Sequence, residues 1–207
     1  MYAPLPGDAS ASCGDARGCK IFIFPQITDG YAALILATED GLRKLGVAKA
    51  DGVEMAGHAQ GTDPATTPGR NVLALADALG AMNKAYAMAG LTPAHLNVAQ
   101  VHDCFTIMGA IGTEVVGKAV PGQGARCWVD GRANVDGECA INRSGGLIAK
   151  GHPVGATGVA MIGWAALQLL GKSPAELQVK APKAAATFNI VGLICASVCT
   201  ALKRAGD

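Results

Sequence analysis

Aromatic residues make up only 4% of this 207-residue chain and charged residues only 16%, with Lys and Arg balancing Asp and Glu to a net +1. No run of one sign is long enough to form an electrostatic footprint for a phosphate backbone, which excludes nucleic acid as a partner. The seven cysteines, an odd number, contain no CxxC pair. That scatter argues against a disulfide framework and against a structural zinc site, so no metal is expected and a reducing compartment fits best. The N-terminus lacks the charged-then-apolar layout of a signal peptide, and the ending Ala205-Gly206-Asp207 is not of the peroxisomal SKL type, which makes the cytoplasm the default expectation. The longest apolar stretch, 154–170, is interrupted by three glycines, Thr157 and Gln168. It falls short of the roughly 20 residues of a bilayer span and reads as a buried core helix.

What is present is apolar material for a sizeable core: half of the residues are hydrophobic. Residues 1–19 are Gly, Pro, Ser, Ala and Asp with little periodicity and are given no structure. Residues 21–24 (IFIF) and 32–38 (AALILAT) read as strands, and Glu39 to Leu45 as a short helix closed by Gly46. Val53 to Gly61 reads as a strand followed by a Pro- and Thr-rich loop. Leu75, Leu79, Met82 and Tyr86 share one helical face, and Gly90 stands where that helix ends. Thr92-Pro93 has the form of a helix start and leads to a strand at Val98 to Val101. Thr106 to Lys118 reads as a helix, Pro121 to Gly137 as a glycine-rich excursion, Val159 to Leu170 as a second helix and Ala184 to Leu202 as two closing strands. This alternation predicts a layered α/β sheet.

Two polar clusters interrupt the apolar pattern: His102-Asp103-Cys104-Phe105 just after a strand, and Gly151-His152-Pro153 just before a buried helix. Strand ends and helix starts are where α/β sheets place sites. In the second cluster, the glycine-rich string 142–158 lets backbone N–H groups approach a bound group closely. A neutral imidazole at position 152 can take a proton from a thiol or donate to a developing oxyanion. The alternative is a turn with an incidental histidine. The string is not a phosphate loop, because His-Pro follows Gly151 where Lys and Ser or Thr would be required. In the first cluster, Cys104 is either a proton shuttle polarised by its histidine neighbour or a small buried hydrophobe. Cys195 and Cys199 lie in an apolar, strand-like run and read as core residues. His58 and His95 are isolated, and Trp128 and Trp164 read as packing residues.

Val101-His102-Asp103-Cys104-Phe105, with Ser144-Gly145-Gly146 and Gly151-His152-Pro153-Val154-Gly155-Ala156-Thr157-Gly158, resembles a thiolase of the sterol-carrier-protein type. The resemblance runs from about Ile21 to Lys203 and includes Thr28-Asp29-Gly30, Leu91-Thr92-Pro93 and Gly122-Gln123-Gly124-Ala125. It implies the C-terminal half of a layered α/β/α/β/α fold, each half a mixed five-stranded sheet with helices on both faces. Residues 20–47 would be a remnant of the N-terminal half and 48–207 the C-terminal domain.

By that resemblance His152 would activate a nucleophilic cysteine and line the first oxyanion hole, His102 would shape that hole, and Cys104 would be the acid/base at the substrate α-carbon. Gly192 and Asn189 would border the second oxyanion, although only one glycine stands where the family usually has two or more. Ser144, Gly145, Gly146, Gly151 and Pro153 would line the substrate. The implied activity is 3-ketoacyl-CoA thiolysis or acetyl-CoA condensation, with coenzyme A as substrate and no other cofactor. The family's nucleophilic cysteine belongs to an N-terminal half, and neither Cys13 nor Cys19 resembles its surroundings. The implied partners are acyl-CoA, a thiolase N-terminal half and a second copy of the chain. Two further readings stand beside this one: a catalytically silent thiolase-like module that binds acyl-CoA or a partner thiolase, and a thiolase-like aldolase subunit.

Overall fold

The computed structural model describes Pro25, residues 28–66, Asn71, and residues 74–192 and 194–206. The strand expected at 21–24 and the segment 1–19, with Cys13 and Cys19, lie outside the described residues. Helix α1 is Glu39–Leu45, as expected: the Thr38 hydroxyl accepts from the Gly41 N–H, and Gly46 stops the helix in the left-handed region. Strand β1 is Val53–Thr62 and helix α2 is Ala76–Ala89. The face of α2 foreseen from its spacing is the buried one, with Met82 and Tyr86 inside and alanines between them. Helix and strand lie close because β1 carries a glycine beneath α2: a Cβ on Gly57 would sit 2.0 Å from the Ala85 carbonyl oxygen.

A 3-10 turn at Pro93–His95, with Thr92 as its cap, leads into β2, Val98–Val101. Then follow α3 (Thr106–Val115), α4 (Gly124–Val129), β3 (Ala140–Ile141), α5 (Gly146–Lys150), α6 (Val154–Leu170), β4 (Ala184–Val191) and β5 (Ala196–Arg204). The strands form one sheet in the order β1-β5-β4-β2-β3. β2 runs parallel to β3 and β4, whereas β5 is antiparallel to both β4 and β1.

Alternation along β2 divides the core. Ala99 and Val101 face a large cluster beneath α2 and α3, and Val98 faces a smaller one beneath α6. Met82, Val101 and Phe188 in the first cluster are fully buried, each contributing on the order of 1.5–3 kcal/mol. The fold is therefore the expected thiolase-like α/β one, a mixed five-stranded sheet with helices on both faces. No helix among the described residues is long and apolar enough to cross a membrane.

Several expectations need correction. Residues 32–38 are irregular rather than a strand: they join no ladder, and Ile35 and Leu36 are 87% and 75% exposed. An apolar run becomes a strand only beside another strand, and this one has none among the described residues. Helix α3 stops at Val115 instead of Lys118, where Gly117 turns left-handed against the Pro93 ring. Helix α6 starts five residues earlier than expected, immediately after Pro153, because its glycines are tolerated inside a packed helix. The excursion 121–137 contains α4. Cys199 is a core residue as expected, but Cys195 is half-buried in the turn between β4 and β5.

Candidate active site

The site lies where β2 ends, α5 begins and the turn into α6 crosses them. The His102 N–H continues the ladder by donating to the Phe188 carbonyl at 2.9 Å, which fixes its backbone against β4. Its Nδ1 lies 2.6 Å from Asn189 Oδ1. An amide oxygen only accepts, so Nδ1 carries the proton and Nε2 is the basic nitrogen. Gly158 of α6 makes room for the Asn189 amide, since a Cβ there would lie 2.8 Å from Nδ2.

His152 is oriented from within its own turn. Its Nδ1 lies 2.7 Å from the Thr157 hydroxyl, which itself donates to the Pro153 carbonyl at 3.1 Å. With its one proton so used, the hydroxyl accepts from Nδ1–H, and Nε2 is again the basic nitrogen. The two imidazoles meet edge to face, with centroids 5.0 Å apart and planes at 89°.

Asp103, between His102 and Cys104, is buried and accepts the Leu147 N–H at 2.7 Å, capping the start of α5. Position 146 must be glycine: its φ is +60°, and a Cβ would lie 2.0 Å from Asp103 Oδ2. The Gly145-Gly146 pair therefore serves the join between the two clusters. Asn142 staples the same join by bonding both the N–H and the carbonyl of Val101. Ser144 donates to Gln100 Oε1 at 2.9 Å. Cys104 is half-buried against the larger core cluster. Gly192 occupies the β4–β5 turn beside Cys195, three residues beyond Asn189.

Two hollows flank the histidines. One, of about 250 Å³, is walled by Asp103, Thr106, Gly109, Ala110, Ala125 and Trp128. The other, an open groove of about 400 Å³, runs between residues 28–32 and 153–156. Both are walled by sequence neighbours of His152 and Cys104 rather than by those two side chains. Trp128 packs on the core and donates to the Thr113 hydroxyl, consistent with a packing role.

Electrostatics set the protons. Burial pushes His102 down to about 4, more than the Asn189 bond raises it. His152 lies below the ordinary histidine value, through burial first and the Lys150 ammonium second. Burial, then the Asp103 carboxylate, pushes the Cys104 thiol up. At neutral pH both imidazoles are thus uncharged proton acceptors, and the Cys104 thiol, packed against the core, still holds its proton.

Sequence reasoning singled out His102, His152, Cys104 and Asn189, and the structure brings the first two together with Asn189 on one of them. It gave no separate role to Asp103, Thr157, Thr28 or Lys150. A signal for Thr157 was available, because a threonine in the first turn of a helix commonly bonds back to the carbonyl four residues earlier.

Comparison with known proteins gives a consistent picture. The family described as "Thiolase C-terminal domain-like" matches residues 59–204. The chain is 37% identical over 166 residues to an acetyl-CoA acetyltransferase of Methanothermobacter thermautotrophicus, covering 80% of this chain and 43% of that protein. It is 36% identical over 167 residues to human sterol carrier protein 2, covering 79% and 30%. Among solved structures, the "Ltp2-ChsH2(DUF35) aldolase" shares the fold with a TM-score of 0.63 at 20% identity, over 73% of this chain and 39% of that one. The chain thus spans less than half the length of each.

Proposed function

This chain belongs to the thiolase family, and on that premise we propose that it forms the C-terminal half of a thiolase-type acyltransferase acting on acyl-CoA thioesters. The observation that carries the reading is the His102–His152 pair, edge to face at 5.0 Å, with both Nδ1 atoms committed and both Nε2 atoms basic. The acyl-accepting thiolate comes from an N-terminal half, on the same polypeptide or on a partner. That half covers the exposed apolar run at 31–38, which would be the last piece of its sheet.

In thiolysis, His152 Nε2 takes the proton of the nucleophilic thiol as its sulfur attacks the 3-keto carbon. Once it has gained that proton, His152 Nε2–H donates to the oxyanion that forms, which His102 borders. The bond between the α-carbon and the keto carbon breaks, its electron pair passes to the α-carbon, and the Cys104 thiol supplies the proton that completes acetyl-CoA. Coenzyme A then gives its thiol proton to the Cys104 thiolate and attacks the acyl-enzyme thioester, releasing the shortened acyl-CoA and the enzyme thiolate, which regains its proton from His152. Asn189 and Gly192 border the second oxyanion. A thiol held above its ordinary pKa suits this role, since it remains a proton donor at neutral pH.

The test is CoA-dependent cleavage of acetoacetyl-CoA by the chain alone and by the chain co-expressed with a thiolase N-terminal half. We expect turnover only in the second case, and a fall in kcat of about 10²- to 10⁴-fold in His152→Ala. Unchanged turnover in that variant removes His152 from the mechanism, and cleavage by the chain alone removes the need for a second half. A complex that forms but stays inert under all conditions points instead to a silent acyl-CoA-binding module.

A further inference from the structure

The Gly-His-Pro turn is held from a second side, by a segment that precedes the family-matched region 59–204 and lies 124 positions upstream of His152. The His152 N–H points at the Thr28 hydroxyl oxygen, 3.4 Å away. A Cβ on Gly151 would lie 2.8 Å from the Thr28 methyl, and a Cβ on Gly30 would lie 2.8 Å from Pro153 Cγ. Each of the three residues of the Gly-His-Pro turn is thus touched by the Thr-Asp-Gly turn, with a glycine on each side permitting the approach. The adjoining Lys150 ammonium reaches the Gly151 carbonyl at 3.4 Å, so the peptide before His152 is held at both its N–H and its C=O.

We propose that Thr28 is a positioning residue for His152, its hydroxyl and methyl together fixing the Gly151–His152 peptide so that the ring stands against His102. Thr157 sets the rotation of the ring, but not the place of the backbone that carries it. Gly151 sits at φ +104°, outside the common wells, and keeps that conformation only through its surroundings. The 3.4 Å hydrogen bond is the directional part of this hold, and the methyl contact with Gly151 supports it. Displacing a reacting group by about 1 Å costs up to 10²-fold in rate, which is why so remote a contact matters. The consequence for turnover rests on the use of His152 as a base; the positioning itself does not.

The experiment is imidazole ¹⁵N NMR of the whole chain across pH, with Thr28→Val, Thr28→Ser and Gly30→Ala. In the wild type His152 should give the shifts of one Nδ1–H tautomer and a midpoint below that of ordinary histidine. In Thr28→Val those shifts should move toward the averaged values of a free imidazole and the midpoint should rise; Thr28→Ser should restore most of both. His102, Asp103 and Lys150, which face the ring, and Asp29 beside Thr28, are unaltered in these variants. His58 and His95 report whether the chain remains folded. Should Thr28→Val not fold, Gly30→Ala applies the same test by pressing on Pro153. If the His152 shifts and midpoint stay at wild-type values in every folded variant, the proposal is overturned. In the complemented enzyme, Thr28→Val should lower kcat about tenfold or more with little change in KM. A His152→Ala enzyme of full activity would overturn the functional reading alone, leaving the NMR result to decide the positioning.

Discussion

Residues 32–38, AALILAT, and β2, VAQV, are both short apolar runs, and they have opposite surroundings. β2 has a parallel strand on each side and helices above and below, and its four residues are buried. Residues 32–38 have no ladder partner among the described residues, and with Tyr31 at 97% exposure they leave a contiguous apolar surface in solvent. Such patches mark interaction sites, because apolar area left in water is unfavourable at about 25 cal/mol per Å². The contrast teaches that hydrophobicity selects burial, while the neighbour decides whether burial is available. For β2 the neighbours are in the chain; for 32–38, on our proposal, they are in the N-terminal half.

One pair of substitutions breaks this comparison most severely. Val101→Asp places a carboxylate in the fully buried core and should cost more than about 4 kcal/mol, abolishing a cooperative urea transition. Leu36→Asp should leave the transition of the chain alone within about 0.5 kcal/mol, yet prevent association with an N-terminal half in a pull-down. If Leu36→Asp unfolds the isolated chain, the run is already packed and the contrast is wrong.

The two histidines extend the same contrast. His102 stands at the end of the buried strand, 6% exposed, whereas His152 is half-buried on the side of the segment 28–38. With His102 held at about 4 against an ordinary 6.5, the unfolded chain binds a proton between those values that the folded chain does not. Stability is therefore complete above pH 6.5 and falls as pH drops through the window, by about 2 kcal/mol at pH 5 and roughly 3 kcal/mol at pH 4. Urea midpoints at pH 7.5 and 5 should show this loss, and His102→Asn should remove most of it. The same acid slope in that variant would assign the loss to other groups.

How much of this could be read from letters depends on range. Helix α2 and strand β2 were legible because period and caps are local. Residues 32–38 misled because nothing local distinguishes a paired apolar run from an unpaired one. Strand β3 is two residues long, too short to show alternation, and α5 starts on two left-handed glycines that make sense only once Asp103 is seen capping it. In the site, His102 and His152 stood out as polar residues at a strand end and a helix start. Their orientation did not, because Asn189 and Thr28 reach them across 87 and 124 positions.

Thr157 is the exception, a long-range role written at short range, and it supplies the mildest test of the comparison. Its hydroxyl links His152 Nδ1 to the Pro153 carbonyl, both within five residues, so the contact needs no partner from elsewhere in the chain. Thr157→Val keeps the shape of the side chain and removes that link. The Pro153 carbonyl still accepts from the N–H groups of Ala156 and Thr157, so the stability cost should be only about 1 kcal/mol. The effect on the ring should be larger than the effect on the fold, because the Thr157 hydroxyl is the partner that holds the proton on Nδ1. Imidazole ¹⁵N shifts of His152 should then move from a single tautomer to a mixture, and Thr157→Ser should recover the single form. A Thr157→Val protein that keeps the wild-type tautomer would mean that the orientation of His152 is imposed from outside its turn, by the contacts of Thr28 and Lys150.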